Sequence, residues 1–291
     1  MKDYLVRGIA ADGHVRAFAC VSTELCEKAR TIHETSPNVT AALGRLLTGS
    51  VIMGDMMKND DAVLSVTIKS DGPMKGMSVS ADSKGHVKGF PYVSEVPFVE
   101  KYPGKLDVGA SVGMGTMTVV KDDGIAEPYA SQINLATGEI ADDLTYYFVE
   151  SEQVPSAVGL GVLVDTDNSV HSAGGFIIQM MPDATEEDIA GVEAGLKKLT
   201  SVTDHFKNGK TPEELLDLLL GDLGVEILET KEISFDCNCS KERVTKALIS
   251  VGKKELQSMI DDGEPVEMKC NYCNSTYTFE IEEIKDLLAD L

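Results

Sequence analysis

Alternating apolar and polar residues mark the first two segments of the chain. Residues 5–11 and 15–21 alternate with a period of two, and Asp12-Gly13 stands between them. A period of two is typical of strands with one buried face, and Asp-Gly favours the tight turn of a hairpin. The pattern therefore predicts an N-terminal β-hairpin.

Helical spacing follows, and then the chain returns to short strands. Residues 41–58 carry apolar side chains every three or four positions, which predicts a helix capped by Asn38 or Thr40. Later apolar runs are separated by turn residues such as Gly, Pro and Asp. These runs predict strands at 63–69, 74–81, 116–121, 131–135, 158–164 and 176–180, with a short helix at 141–150. The fold class is therefore α+β, with a large domain of β-sheets and helices over residues 1–181.

The strand pattern is lost after Pro182. Residues 186–199 have an apolar stripe at helical spacing, and Thr211-Pro-Glu-Glu214 is a capping box that opens a second helix. Residues 182–232 contain 13 acidic and 5 basic residues, a net charge of −8. Helices this short have little stability without packing partners. This segment is interpreted as a helical linker, although an ordinary helical subdomain fits the sequence as well.

Six cysteines are spread unevenly, and four of them lie close to the C-terminus. They form Cys237-Asn-Cys239 and, after 30 further residues, Cys270-Asn-Tyr-Cys273. Two close pairs in one short domain are typical of a closed zinc site with four thiolate ligands. Residues 233–235 and 276–279 are predicted as strands that bring the pairs together, with a helix over 241–251. Residues 233–291 are therefore predicted to be a small zinc-binding domain that holds one Zn²⁺ per chain.

The cysteine cluster also favours redox chemistry. A domain of 59 residues often needs a metal or a disulfide for stability. Oxidation of the thiolates would remove the ligands, and metal binding in such domains contributes about 10–16 kcal/mol to folding. Oxidation is then expected to unfold the domain. Cys20 and Cys26 lie in a predicted strand and helix, where they are expected to be inert core thiols.

Charge and composition narrow the range of partners. The chain has 48 acidic and 26 basic residues, a net charge of −22, with 43% apolar residues. Polyanion repulsion argues against nucleic acid and against anionic membrane surfaces. No apolar run approaches the roughly 18 residues that span a bilayer, and the first residues lack the apolar core of a signal peptide. A cytoplasmic protein is expected, whose acidity also opposes aggregation.

One enzyme motif competes with this interpretation. Gly109-Ala-Ser111-Val-Gly113 has the glycine spacing of a hydrolase nucleophile elbow, and His171 follows in a suitable order. The elbow requires a strand before the serine and a helix after it, whereas residues 116–121 are predicted as a strand. A serine hydrolase is therefore the weaker alternative, beside a zinc-stabilised adaptor module without a redox switch.

The chain resembles, along essentially its whole length, the 33-kilodalton redox-regulated heat-shock chaperone family of bacteria. The resemblance rests mainly on the two cysteine motifs and their separation. The matching pieces are Ala42-Leu-Gly-Arg45, Ser151-Glu-Gln-Val-Pro-Ser156, Gly174-Gly-Phe-Ile-Ile-Gln-Met-Met-Pro182, Cys237-Asn-Cys239-Ser-Lys-Glu-Arg243 and Cys270-x-x-Cys273.

This resemblance implies a function and a set of sites. It implies that Cys237, Cys239, Cys270 and Cys273 bind zinc in a reduced, inactive protein. It implies that oxidants form disulfides Cys237–Cys239 and Cys270–Cys273, that zinc leaves, and that the C-terminal domain and linker lose structure. The active protein would then be a homodimer, through the domain of residues 1–181, and a non-enzymatic holdase that binds unfolding proteins without ATP.

Overall fold

The computed structural model describes residues 2–289 and 291, and the chain forms two compact units, Met1–Asp236 and Cys237–Leu291. The strands of the first unit are β1 Tyr4–Ala10, β2 Val15–Val21, β3 Val63–Ser70, β4 Gly76–Asp82, β5 His86–Pro91, β6 Glu100–Tyr102, β7 Lys105–Leu106, β8 Gly115–Asp122, β9 Tyr129–Asn134, β10 Ser156–Val164, β11 Val170–Met180, β12 Glu226–Glu232 and β13 Ser234–Phe235. Its helices are α1 Thr23–His33, α2 Pro37–Asp55, α3 Val108–Val112, α4 Ala141–Glu150, α5 Glu186–Leu196, α6 Val202–Lys207 and α7 Pro212–Leu220. The predicted α+β class is confirmed.

Two sheets enclose the central helix α2. The first sheet is antiparallel in the order β10-β11-β2-β1-β12, and the second has the order β13-β5-β4-β3-β8-β9. From Asn38 to Asp55 every residue of α2 is buried except Arg45, which is half-buried and pairs with Glu139. A helix that is apolar on all sides needs cover on all sides, and the two sheets supply it.

The second face of the first sheet is covered by helices α5, α6 and α7. The apolar side chains of this face and of the three helices form one buried cluster, which contains Val6, Ala10, Val15, Ala17, Ala19, Val21, Phe176, Ile178, Val192, Val202, Phe206, Leu215, Leu216, Leu219 and Leu220. These short helices are stabilised mainly by burial of their apolar side chains, which contributes about 25 cal/mol for each Å² of apolar surface removed from water. Helices α5, α6 and α7 therefore form the third layer, over the first sheet.

The hairpin, the helix at 141–150 and the capping box are confirmed. Thr211 Oγ1 accepts a hydrogen bond from Glu214 N, and the Glu214 carboxylate accepts one from Thr211 N. The predicted helix at 41–58 starts earlier, at Pro37, because proline suits the first helical position. Asn38 therefore does not cap it. Its amide instead donates to the carbonyls of Val99 and Asp107.

The absence of strands from 182–232 was a wrong prediction. Strand β12 pairs antiparallel with β1. Its sequence, Glu-Ile-Leu-Glu-Thr-Lys-Glu, is charged and largely exposed because it is the outermost strand, which obscures the strand pattern. Lys231 on this strand pairs with Asp55, whose side chain is 2% exposed, and donates to Ser83 O at 2.9 Å. The strand is thereby tied to the end of α2.

The apolar stripes of the linker are buried unevenly. Ile189 is 42% exposed although it was expected to need a partner, while Val192 is buried. In α7 the buried positions include Leu215 and Leu219, whereas Leu218 lies half-buried at the side of the helix.

The second unit is small and has its own core. Its elements are α8 Lys241–Ile249, α9 Lys253–Asp262, β14 Val266–Lys269, β15 Thr276–Phe279 and α10 Ile281–Ala289. Four side chains are fully buried in it: Leu248, Leu256, Phe279 and Ile284. Over the described ranges 2–289 and 291, no helix is both long and apolar enough to cross a membrane.

Candidate metal centre

Cys270 and Cys273 lie in the loop that joins β14 and β15. The two strands pair antiparallel, from Val266 with Phe279 to Lys269 with Thr276. The loop is closed by a hydrogen bond from Cys270 N to Ser275 O at 2.9 Å and one from Asn274 N to Cys270 O at 2.8 Å. Asn274 takes the left-handed conformation, with φ of 60°, which Asn tolerates better than most residues. This tight turn directs both sulfurs to one side.

Cys237 and Cys239 come just before helix α8. Ser240 caps this helix by accepting a hydrogen bond from Arg243 N. The strands predicted beside the two cysteine pairs are present. Ser234–Phe235 pairs in parallel with β5, and Thr276–Phe279 pairs antiparallel with β14.

All four sulfurs meet in one place. Every pair of these Sγ atoms lies within 4.8 Å. The distance is 3.8 Å between Cys237 and Cys270 and 3.3 Å between Cys239 and Cys273. Four sulfurs around a zinc ion at about 2.3 Å would be about 3.8 Å apart, so the donor set fits a tetrahedral site. Within residues 2–289 and 291, no other group of three or more His, Cys, Asp or Glu side chains lies this close.

Three of the thiols have shifted acidities. Burial opposes ionisation of Cys273, but hydrogen bonds with the side chain and backbone of Ser275 outweigh burial and lower the pKa of Cys273 to about 7. Burial raises the pKa of Cys237 and that of Cys239. Cys273 therefore forms a thiolate, which is the nucleophile and the metal ligand, more readily than Cys237 or Cys239 does.

Two hydroxyl groups contact the sulfurs from the hairpin. The Tyr277 hydroxyl donates a hydrogen bond to Cys239 Sγ at 3.1 Å, and Ser275 Oγ lies 3.2 Å from Cys273 Sγ. This bond to Cys239 raises the pKa of Tyr277 to about 12, so the phenol keeps its proton at neutral pH. Sequence reasoning missed both residues. The sequence offers only their spacing as a signal: Ser275 and Tyr277 follow Cys273 by two and four residues.

Cys20 and Cys26 lie in the first unit and take no part in this cluster. Both are buried, in β2 and α1. Burial raises the pKa of Cys20 well above its usual value and that of Cys26 to about 12. They are protonated core thiols, as the sequence analysis expected.

The structure does not assemble a hydrolase site at Ser111. Ser111 is buried within helix α3, and its hydroxyl donates to Asp107 O at 3.0 Å. His171 and Asp165 are hydrogen-bonded at 2.8 Å, but they lie in the hairpin of β10 and β11. A nucleophile elbow places the serine between a strand and a helix, which is not the setting of Ser111.

An α+β domain in three layers, followed by a small unit with four clustered thiols, defines a two-part protein with a C-terminal sulfur-ligand metal centre. The family model described as "Hsp33 protein" matches residues 3–280. The 33 kDa chaperonin of Lachnoclostridium phytofermentans is 52% identical over 289 residues, which are 99% of each chain. That of Agathobacter rectalis is 51% identical over 99% of this chain and 100% of its own.

A solved structure agrees with these sequence matches. The crystal structure of the 33 kDa chaperonin, or heat shock protein 33 homologue, from Thermotoga maritima superposes with a TM-score of 0.90. It is 34% identical, and the match covers 100% of this chain and 99% of that one. The chain belongs to the Hsp33 family, the 33 kDa chaperonins. The family consists of chaperones and not enzymes, and chaperones bind other proteins as clients.

Proposed function

We propose that this protein is a redox-regulated holdase of the bacterial cytoplasm, which binds unfolding proteins without ATP when its clustered cysteines are oxidised. The observation that carries the proposal is the convergence of four sulfurs from two distant segments within 4.8 Å of one another. Family membership supports it, because the matched relatives are chaperonins over their full length.

In the reduced protein, Cys237, Cys239, Cys270 and Cys273 would hold one Zn²⁺. Bound zinc would cross-link the two cysteine motifs and supply a large part of the folding energy of this unit. The need for it follows from the core, in which four side chains are fully buried among the described residues 237–289 and 291. A core of that size rarely stabilises a domain alone, whereas structural zinc contributes about 10–16 kcal/mol.

Oxidation would proceed pair by pair. A thiolate sulfur attacks one oxygen of hydrogen peroxide, the O–O bond breaks, and a sulfenic acid forms. The neighbouring thiol then attacks that sulfur, and a water molecule leaves. The formation of each disulfide thus transfers two electrons from two thiols to one peroxide, which becomes two waters. The proposed disulfides are Cys237–Cys239 and Cys270–Cys273. Distance alone does not decide the pairing, because every pair of sulfurs lies within 4.8 Å. The short chain connection within each cysteine motif and the family resemblance support these two disulfides.

The client surface is proposed to lie beneath the linker, residues 182–232. Its helices α5, α6 and α7 cover one apolar face of the first sheet. Four residues of chain separate the end of β12 from Cys237, so loss of structure after Cys237 begins next to the last linker strand. Departure of the linker would expose the sheet face and the helix stripes. Residues 1–181 would remain folded and carry the dimer contact of the active state.

Metal content and chaperone activity test this proposal together. We expect one zinc per chain in reduced protein, loss of that zinc on peroxide treatment, and suppression of client light scattering only by the oxidised form. Cys270→Ser should abolish zinc binding, because three ligands remain where four are needed. Cys20→Ser is the matched control and should keep zinc, since Cys20 is buried in the first unit.

Two results would contradict the proposal. Zinc that survives peroxide, with no gain in activity, would favour a purely structural metal in an adaptor module. Loss of zinc from Cys20→Ser, or its full retention in Cys270→Ser, would refute the ligand assignment.

A further inference from the structure

Tyr277 contacts the metal centre through its hydroxyl alone. It lies on β15, opposite Met268 of β14, and its side chain packs against the small core that contains Phe279. The ring is therefore fixed by the hairpin and by the core. Its hydroxyl donates to Cys239 Sγ at 3.1 Å, while the residue contributes no metal ligand.

We infer that Tyr277 is a positioning residue that sets how fast the Cys237–Cys239 pair reacts with peroxide and how tightly it holds the metal. This inference rests on the proposed function, since it concerns the same four thiols. Tyr277 would act through Cys239, by holding its sulfur in the ligand geometry and by sharing its negative charge.

The physical reason lies in the lone pairs of the sulfur. The thiolate supplies the electron pair that attacks the peroxide O–O bond, from which the sulfenic acid and then the disulfide follow. A hydroxyl that donates to this sulfur withdraws electron density and occupies one side of it, so attack is slower. Hydrogen bonds to charged acceptors are the strong ones, and residues that hold metal ligands typically change metal affinity by about 10- to 100-fold.

The contacts are arranged unequally over the four cysteines. The second cysteine of each motif has a hydroxyl neighbour, Tyr277 for Cys239 and Ser275 for Cys273. Cys237 and Cys270, the first cysteines, lie 3.8 Å from each other. Loss of the Tyr277 hydroxyl should therefore act first on the reactivity of the Cys237–Cys239 pair.

Tyr277→Phe in the full-length, zinc-loaded protein tests this inference, because it removes one oxygen and keeps the ring. After addition of peroxide, we expect zinc to reach a colorimetric chelator about 10-fold faster than in wild type, and zinc affinity in chelator competition to fall by about 10-fold. Mass spectrometry should show that Cys237–Cys239 forms earlier than in wild type, and that its lead over Cys270–Cys273 increases. Thr278→Val, which removes a hydroxyl from the adjacent exposed position of β15, should behave as wild type.

A spectroscopic readout separates hydrogen bonding from packing. In the cobalt(II)-substituted protein, Tyr277→Phe should move the sulfur-to-cobalt charge-transfer band to longer wavelength, because the sulfur lone pair is no longer stabilised. Tyr277→Leu also removes the ring. If Tyr277→Phe matches wild type in rate, affinity and spectrum while Tyr277→Leu releases zinc faster, the residue only packs and the inference is overturned. If wild-type protein binds no zinc, or keeps its zinc after peroxide treatment, the proposed function is refuted, and this inference with it.

Discussion

Asp3 is a carboxylate buried beneath the start of helix α1. Its oxygens accept hydrogen bonds from Glu24 N at 3.1 Å and Leu25 N at 2.6 Å. These bonds satisfy two of the free N–H groups at a helix start. Burial nevertheless outweighs them and raises the pKa of Asp3 from 3.8 to about 6. The folded protein therefore favours the protonated acid more than the unfolded chain does.

This shift predicts a pH dependence of stability. A raised carboxyl pKa means that the folded state binds more protons between pH 3.8 and about 6, so the free energy of unfolding falls as pH rises through that window and is level above it. From pH 5 to pH 7.5 the Asp3 contribution should fall by about 1.4 kcal/mol. Urea unfolding of wild type and Asp3→Asn at both pH values measures it. An equal difference between the two proteins at both pH values would contradict the prediction.

Helices α5 and α7 approach each other most closely at Gly195. A Cβ atom at this position would lie 1.7 Å from the backbone oxygen of Leu219, which no side chain can tolerate without movement of a helix. At Gly191, one turn earlier in α5, the three atoms nearest to an added Cβ belong to the side chain of Leu223, and the closest is a terminal methyl at 2.6 Å. The close packing of α5 against α7 therefore requires a residue without a side chain at position 195.

Gly195→Ala should accordingly loosen the linker in reduced protein. Overpacking costs about 1–3 kcal/mol, which exceeds the roughly 1 kcal/mol that alanine adds to helix propensity. We expect faster proteolysis within residues 182–232 and partial suppression of client aggregation while zinc stays bound. Gly191→Ala is the matched control, since a flexible side chain can make room. If Gly195→Ala becomes protease-sensitive but stays as inactive as reduced wild type, opening the linker is not sufficient for activity.

Elements with a strong local signal could be predicted from the sequence, and those defined by distant partners could not. The Thr211 capping box and the Asp12-Gly13 turn are short-range hydrogen-bond patterns, and both are confirmed. Strand β12 is recognisable only through its pairing with β1, far away in sequence. The cysteine spacing predicted which sulfurs meet, but the Tyr277 contact depends on the β14–β15 register, which spacing does not give.

At the scale of the whole molecule, stability is distributed unequally. Helix α2 is enclosed between two sheets, whereas α5, α6 and α7 form an outer layer and the second unit has a minimal core. Segments with few buried contacts open at lower free energy than the core does. The division into residues 1–181, 182–232 and 233–291 remains a prediction about function. The unequal burial of these three parts supports it.

Hydrogen exchange before and after peroxide treatment tests whether the three parts of the chain differ in stability in this way. In reduced, zinc-loaded protein we expect protection in all three parts. After oxidation, amides of residues 182–232 and 237–291 should lose protection until their opening free energy is about 0 kcal/mol, while α2 and its flanking strands keep theirs. Loss confined to residues 237–291 would show that the linker does not respond to the cysteines. Reduction with added zinc should restore the original pattern.

The outermost position of β12 has a further consequence. When β12 leaves, the N–H and C=O groups of β1 that point away from β2 lose their partners, and a bare sheet edge is created. β1 contains no proline and a single charged residue, Arg7, so it lacks most of the features that protect natural edges from strand addition. An extended stretch of an unfolding polypeptide could dock there by backbone hydrogen bonds alone. Such docking would not depend on side-chain sequence, which would suit the holdase proposed above, and the same edge could also pair two copies of this chain.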